Sequence, residues 1–352
     1  MVTTRFTLPE LVPQALDAPD HFNDWYFTLH FEHAGRPHVL KLSITEGTLL
    51  GQMTGLTLSR EPLHLQEEAD AAVLLPPQGA DVLIEEHDDP MLWEEAGNEV
   101  RVTMGTLTAT CRPEAQRIIA RHPRLQADLT YVPRGPILHW EHEAGAVAQV
   151  TEITRVSGSE SMSDVQGTLT IDGETIPVQG RGVFEHVWFS ALNFFEIRHM
   201  NWIYAHFDEL YVYLCHCESV TSGSRPFHFE TGEIVLGFNA NQWLPITHLE
   251  VEPLSWVFLQ QARRFVPLDQ QVTARTEAGT LHLTTRMAHY PLMIHGGAVR
   301  LEGLTVDRVP GWQSLFYDAP IILEGFFKTS AGQRIPLTHG TGINELIRIS
   351  AL

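Results

Sequence analysis

Side chains able to bind a ligand or move a proton are concentrated in one stretch, His199 to Glu218. Its centre, Asp208-Glu209, is flanked by alternating residues, so the stretch reads as a β-hairpin. A two-residue loop there sets His206 opposite Tyr211, Tyr204 opposite Tyr213 and Trp202 opposite Cys215. One face is then aromatic. A flat apolar molecule would stack on it, which makes Trp202, Tyr204, His206, Tyr211 and Tyr213 the candidate ligand-binding set. The other face carries His199, Asn201 and Ile203 beside Leu214, His216 and Glu218. His199, His216 and Glu218 are metal ligands by type, but spacing on separate strands is unspecific, and the expectation is that no metal is held. A one-residue slip in register exchanges the two faces, so giving the aromatic face to the ligand is an expectation about register.

The remaining reactive groups exclude more than they suggest. None of the 19 histidines falls into an HExxH spacing. No GxSxG, dinucleotide-binding glycine loop or P-loop lies in a strand-to-helix setting, and Gly180-Arg181-Gly182 lacks the third glycine. Hydrolase, dehydrogenase and NTPase readings lose ground, and no cofactor is expected. Cys111, Cys215 and Cys217 are odd in number, form no CxxC and read as reduced thiols filling core space.

Strands must position these groups. Trp25 to Glu32 and His38 to Thr45 flank Ala34-Gly35; Gly167 to Ile171 and Thr175 to Val178 flank Asp172-Gly173, and each set reads as a hairpin. Further turn signals stand at Glu277-Ala278-Gly279 and Ser330-Ala331-Gly332. One short helix is expected, from Pro113 to His122, because Pro113 suits a first turn and Pro123 ends the run. The fold class is therefore all-β with antiparallel meanders. An internal repeat divides it: GTLTIDGETIPVQGRGVFE from Gly167 to Glu185 and GFFKTSAGQRIPLTHGTGINE from Gly325 to Glu345 share a turn, Ile-Pro, Gly-x-Gly and a following Glu. Glu185 and Glu345 match and lie 160 residues apart, as in a duplicated β-barrel, giving expected domains 1–190 and 191–352.

Charge narrows the partners. With 23 Lys+Arg against 43 Asp+Glu the net charge is −20, which disfavours a phosphate backbone or an anionic membrane surface. No window approaches the roughly 18 apolar residues of a spanning helix, so no integral membrane segment is expected. Pro9, Glu10, Pro13 and Asp17 occupy the place where a signal peptide needs an apolar core. A cytoplasmic protein without a nucleic-acid partner is the expectation, with its oligomeric state left open.

The run Gly180-Arg181-Gly182-Val183-Phe184-Glu185-His186-Val187-Trp188 resembles the G-x-G-(Y/F)-x-D-H-x-W-G signature of the carotenoid 1,2-hydratase (hydroxyneurosporene synthase) and AttH-like family. Leu323-Glu324-Gly325 with Gly340-Thr341-Gly342-Ile343-Asn344-Glu345-Leu346 is similar to its closing hairpin, Leu125 to Pro136 to its D-L-x-(Y/F)-x-P strand, and Asn201-Trp202-Ile203-Tyr204 stands where it often carries W-x-W. The family's Asp is Glu185 here, its polar residue before Trp is Val187, and its closing Gly is Phe189. The resemblance implies two lipocalin-like (calycin) β-barrels and a hydrophobic ligand, isoprenoid, carotenoid or polyketide-like. It implies cofactor-independent, acid-assisted hydration or cyclisation of a C=C bond, as in a carbon–oxygen lyase. Glu185 is then the proton donor, since a carboxyl in an apolar site keeps its proton near neutral pH. His186 would orient that carboxyl or a water, and Trp188, Trp202 and Tyr204 would offer π faces to a developing cation. Three alternatives stay open: Glu185 and His186 as buried hydrogen-bonding groups with Trp188 as a core anchor, a non-catalytic carrier, and a cyclase that works by shape alone.

Overall fold

The computed structural model describes residues 3–18, 20–48, 51–68, 71–74, 81–151, 153–191, 197–220, 226–260, 264–292, 294–296, 300–301, 304–305 and 312–351. Among these, the regular elements are strands apart from two single 3-10 turns, Leu8–Glu10 and Ala240–Gln242. The helix expected from Pro113 to His122 is a strand, Ala115–Arg121, paired on both edges. Gln116, Ile118 and Ala120 are buried at period two, and that burial overrides the helix propensity of Ala, Gln and Arg. Pro113-Glu114 forms the turn before it. No helix among the described residues is long and apolar enough to cross a membrane.

The chain divides into two compact units: Met1–Arg60, Asp81–Gln149 and Ile153–Leu192 form the first, and Glu61–Ala80, Val150–Glu152 and Asn193–Leu352 the second. The first is a curled antiparallel sheet. Its centre runs Arg36–Gly47, Phe22–His33, Glu174–Ser190, Arg155–Ile171 and Leu125–Pro133 in spatial order. The Ala34-Gly35 and Asp172-Gly173 loops close their hairpins with both residues at positive φ, the type I′ geometry that glycine makes cheap. Trp25, Phe27, Leu42, Leu129 and Phe184 fill the inside of the curl. The N-terminal segment packs onto this filling: Phe6 meets the Phe184 ring edge-on at 5.3 Å, and Trp25 Nε1 donates to the Leu11 carbonyl.

In the second unit eight strands close into a barrel. The ring runs Pro226–Leu236, Leu210–Val220, Ile197–His206, Arg334–Ala351, Trp312–Thr329, Gly279–Met287, Arg264–Thr276 and Trp243–Leu259, and the last pairs back to the first through Glu233–Pro245, Ile234–Leu244 and Val235–Trp243. Leu65–Glu68 and Ala71–Leu74, from the N-terminal half of the sequence, add to it, with Val73 and Leu74 beside Phe258 and Leu259 in parallel. Ile203, Val212, Leu214, Ile234, Leu283 and Leu346 belong to its core.

The repeated Gly-x-Gly has a steric cause. A Cβ on Gly180 or Gly182 would collide with the carbonyl of His30 or Thr28, and a Cβ on Gly342 with the carbonyl of Tyr204. In both units the final strand crosses its neighbour too closely for any side chain there.

Candidate functional site

Glu174–Ser190 lies between Phe22–His33 and Arg155–Ile171, and the register puts Tyr26, Glu185 and Glu160 on one transverse row. The next row is Trp25, His186 and Ser159. Side chains alternate along a strand, and Trp25 belongs to the core inside the curl. Glu185 therefore points outward together with Tyr26 and Glu160. All three are buried nonetheless: Glu185 is 4% and Glu160 3% exposed. Val183, Val187 and Met162 are buried on the same outward face. Lys41 is buried too, its Nζ 4.5 Å from the centre of the Tyr26 ring. Two carboxyls on one row stand about 5 Å apart at Cβ. Burial and a like charge opposite both favour a proton held on such a pair, while Lys41 favours the charge.

His186 is on the other face, so it does not orient the Glu185 carboxyl; adjacent residues of a strand cannot share a face. Its ring stacks on Trp25 at 4.4 Å, and Nδ1 donates to the Glu10 carbonyl at 2.7 Å. Among the described residues Nε2 is buried and makes no hydrogen bond. Burial lowers the His186 pKa to about 4, against the opposing pull of the Glu10 carbonyl and charge. Trp188, by the same alternation, lies on the His186 side and is half-buried, opposite Asn23 and Ser157.

Glu10, absent from the sequence-derived candidates, organises the inner side of this region. Its Oε1 accepts from His139 Nε2 at 2.9 Å and Ser159 Oγ at 2.5 Å, and its Oε2 from the Thr7 amide and hydroxyl at 2.7 Å each. Burial alone would raise its pKa, but the bonds from His139, Ser159 and Thr7 together hold it down at about 2. Glu10 is thus a fixed anion. The signal was present as the capping box Thr7-Leu8-Pro9-Glu10.

In the second unit the expected register holds: His206 pairs with Tyr211, Tyr204 with Tyr213 and Trp202 with Cys215. The aromatic face, expected to take the ligand, is not the one that lines the barrel. Ile203, Ala205, Val212 and Leu214 face the barrel core, so Trp202, Tyr204, His206, Tyr211 and Tyr213 lie on the outside of the barrel wall. They are buried there as well, and with both faces apolar the hydrophobic pattern carries no inside-or-outside signal. Glu345 shares a row with Trp202 and Asp318, which repeats the Tyr26–Glu185–Glu160 row of the first unit. Asp318 is fully buried and Glu345 half-buried.

The barrel interior is polar at one end. Asn344 Nδ2 donates to Gln270 Oε1 at 2.6 Å, and Gln270 Nε2 to Asn201 Oδ1 at 3.3 Å. Asn201 Nδ2 lies 2.9 Å from His199 Nε2. Beyond them, the ligand atoms of His216, Glu218 and His228 all lie within 4.8 Å of one another. Burial lowers the His216 pKa despite the charges of Glu218 and Glu230, with His228 and His248 adding to the depression. A separate open groove of about 800 Å³ is lined by Arg117, Asp128, Gln166 and Gln179 among others. It lies about 20 Å along the strand from Glu185 and is lined by these polar groups together with Pro177 and Val178.

A protein assigned as AttH from Nitrosomonas europaea matches this structure with a TM-score of 0.61 at 14% identity, over 95% of this chain and 96% of its own. Kievitone hydratase from Nectria haematococca matches at 0.59 and 13%, over 98% and 92%. CghA with Sch210972 matches at 0.58 and 10%, over 94% and 89%. This chain has their fold. No family model matches the sequence, and no curated protein matches it.

Proposed function

We infer that this protein protonates a C=C bond of an apolar small molecule, isoprenoid or polyketide-like, and that hydration or cyclisation follows without a cofactor. One observation carries the reading: Glu185 is a carboxyl buried on a face shared with Glu160, Tyr26, Val183, Val187 and Met162. A carboxyl held protonated there is available as a general acid toward carbon near neutral pH. The O–H bond of Glu185 breaks as a C–H bond forms, leaving a carbocation beside the Tyr26 ring, whose π face stabilises it. In hydration, water adds to the cation and its surplus proton returns to the Glu160–Glu185 pair. In cyclisation, a second C=C bond adds and the new cation loses a proton to the same pair. Either way the acid is regenerated.

The sequence resemblance to carotenoid 1,2-hydratases and the presence of a hydratase among proteins of the same fold support this class of reaction. The buried aromatic face of Trp202, Tyr204, His206, Tyr211 and Tyr213 is proposed as an apolar ligand surface of the second unit. Replacing Glu185 by Gln keeps size and burial while removing the acid. Turnover is expected to fall by about a hundredfold or more with the fold intact by circular dichroism. Full activity in a folded Glu185→Gln variant would sink the proposal.

A further inference from the structure

We propose that the second-unit barrel carries a divalent transition-metal site of the zinc type, with His216, Glu218 and His228 as its protein ligands. Register brings them together: Glu218 faces His228 across adjacent strands, and His216 is two residues from Glu218 on the same side. That side is the one on which Leu214, Val212 and Ile234 enter the barrel core. The ligand atoms already converge to within 4.8 Å. Ligands about 2.1 Å from a tetrahedral zinc ion stand about 3.4 Å apart, so small side-chain rotations complete the site.

A second, independent observation points the same way. Among the described residues His216 Nδ1 is buried and makes no hydrogen bond, which leaves a buried ring nitrogen open to a ligand. Two further polar groups neighbour the three ligands in register, His199 opposite Glu218 and Glu230 opposite His216. The His199 ring lies 6.1 Å from that of His216 and takes a hydrogen bond from Asn201. Glu230 is fixed by the Leu249 amide at 2.9 Å and by His248. Two imidazoles and one carboxylate select zinc and its neighbours over calcium or magnesium, which prefer oxygen. Three protein ligands leave a coordination position for water or a small anion.

The test is calorimetric titration of the chelator-treated full chain with zinc chloride, with magnesium and calcium chloride as comparisons. One equivalent of zinc is expected to bind. His228→Ala, at an exposed position where folding is not at risk, and Glu218→Gln are each expected to weaken binding at least tenfold. His64→Ala, exposed elsewhere in the same unit, is expected to leave it unchanged. The proposal is overturned by the absence of stoichiometric zinc binding, by affinity unchanged in both His228→Ala and Glu218→Gln, or by equal binding of calcium or magnesium.

Discussion

Glu160 and Glu185 face each other across the hairpin formed by Arg155–Ile171 and Glu174–Ser190, and both are buried. In the second unit Asp318 and Glu345 face each other across Trp312–Thr329 and Arg334–Ala351. An aromatic residue completes each row, Tyr26 in one and Trp202 in the other. The duplicated feature is therefore a paired-carboxyl row beside an aromatic ring, of which the repeat in the sequence displayed only one member per copy.

If Glu160 supplies the like charge that keeps Glu185 protonated, its removal has a signed effect on the pH profile. A general acid works only while protonated, and deleting a neighbouring negative charge lowers its pKa. Glu160→Gln is thus expected to move the alkaline limb of kcat/KM downward by about one pH unit. Profiles that coincide with wild type would remove Glu160 from the site.

Acid should destabilise the first unit in two steps. His186 has a folded pKa of about 4 against an ordinary value of 6.5. The unfolded chain therefore binds its proton first, and stability is full above pH 6.5 and lost as pH falls toward 4. Glu10, held at about 2 against 4.5, adds a loss that begins as pH drops through 4.5 and runs toward 2. Urea unfolding across this range should show the decline, with the His186 part on the order of 3 kcal/mol. His186→Gln should flatten the curve between pH 6.5 and 4; an unchanged slope there would refute the assignment.

The close strand crossings make a stability prediction that is independent of chemistry. Gly182→Ala and Gly342→Ala each press a methyl group onto a backbone carbonyl and should cost about 2–3 kcal/mol or more. Gly173→Ala, in open space at a positive-φ turn, should cost about 1 kcal/mol through strain alone. Urea midpoints rank the three, and a Gly173 variant as unstable as the other two would contradict the steric explanation.

Register was the most legible part of the sequence. A two-residue loop at Asp208-Glu209 and period-two alternation fixed the pairs from His206–Tyr211 to Trp202–Cys215. Which face is inside was not legible, because Ile203 and Leu214 are as apolar as Trp202 and Tyr213, and only barrel closure decides. The strand at Ala115–Arg121 looked helical because its residues favour helices, whereas its pairing on both edges is long-range. Glu160 was hidden in a serine-rich strand, since its importance comes from a partner 25 positions away. His228 was missed for the same reason: it meets Glu218 only across a strand pair.

Transfer of a solvent proton to carbon tests the central claim most directly. A lipophilic extract of the host is incubated in D2O with the wild-type protein and with Glu185→Gln, and its products are resolved by mass spectrometry. Acid catalysis by Glu185 is expected to give a hydrated or cyclised product carrying one carbon-bound deuterium with wild type and none with the variant. A product formed without carbon-bound deuterium, or formed equally fast by Glu185→Gln, would contradict it.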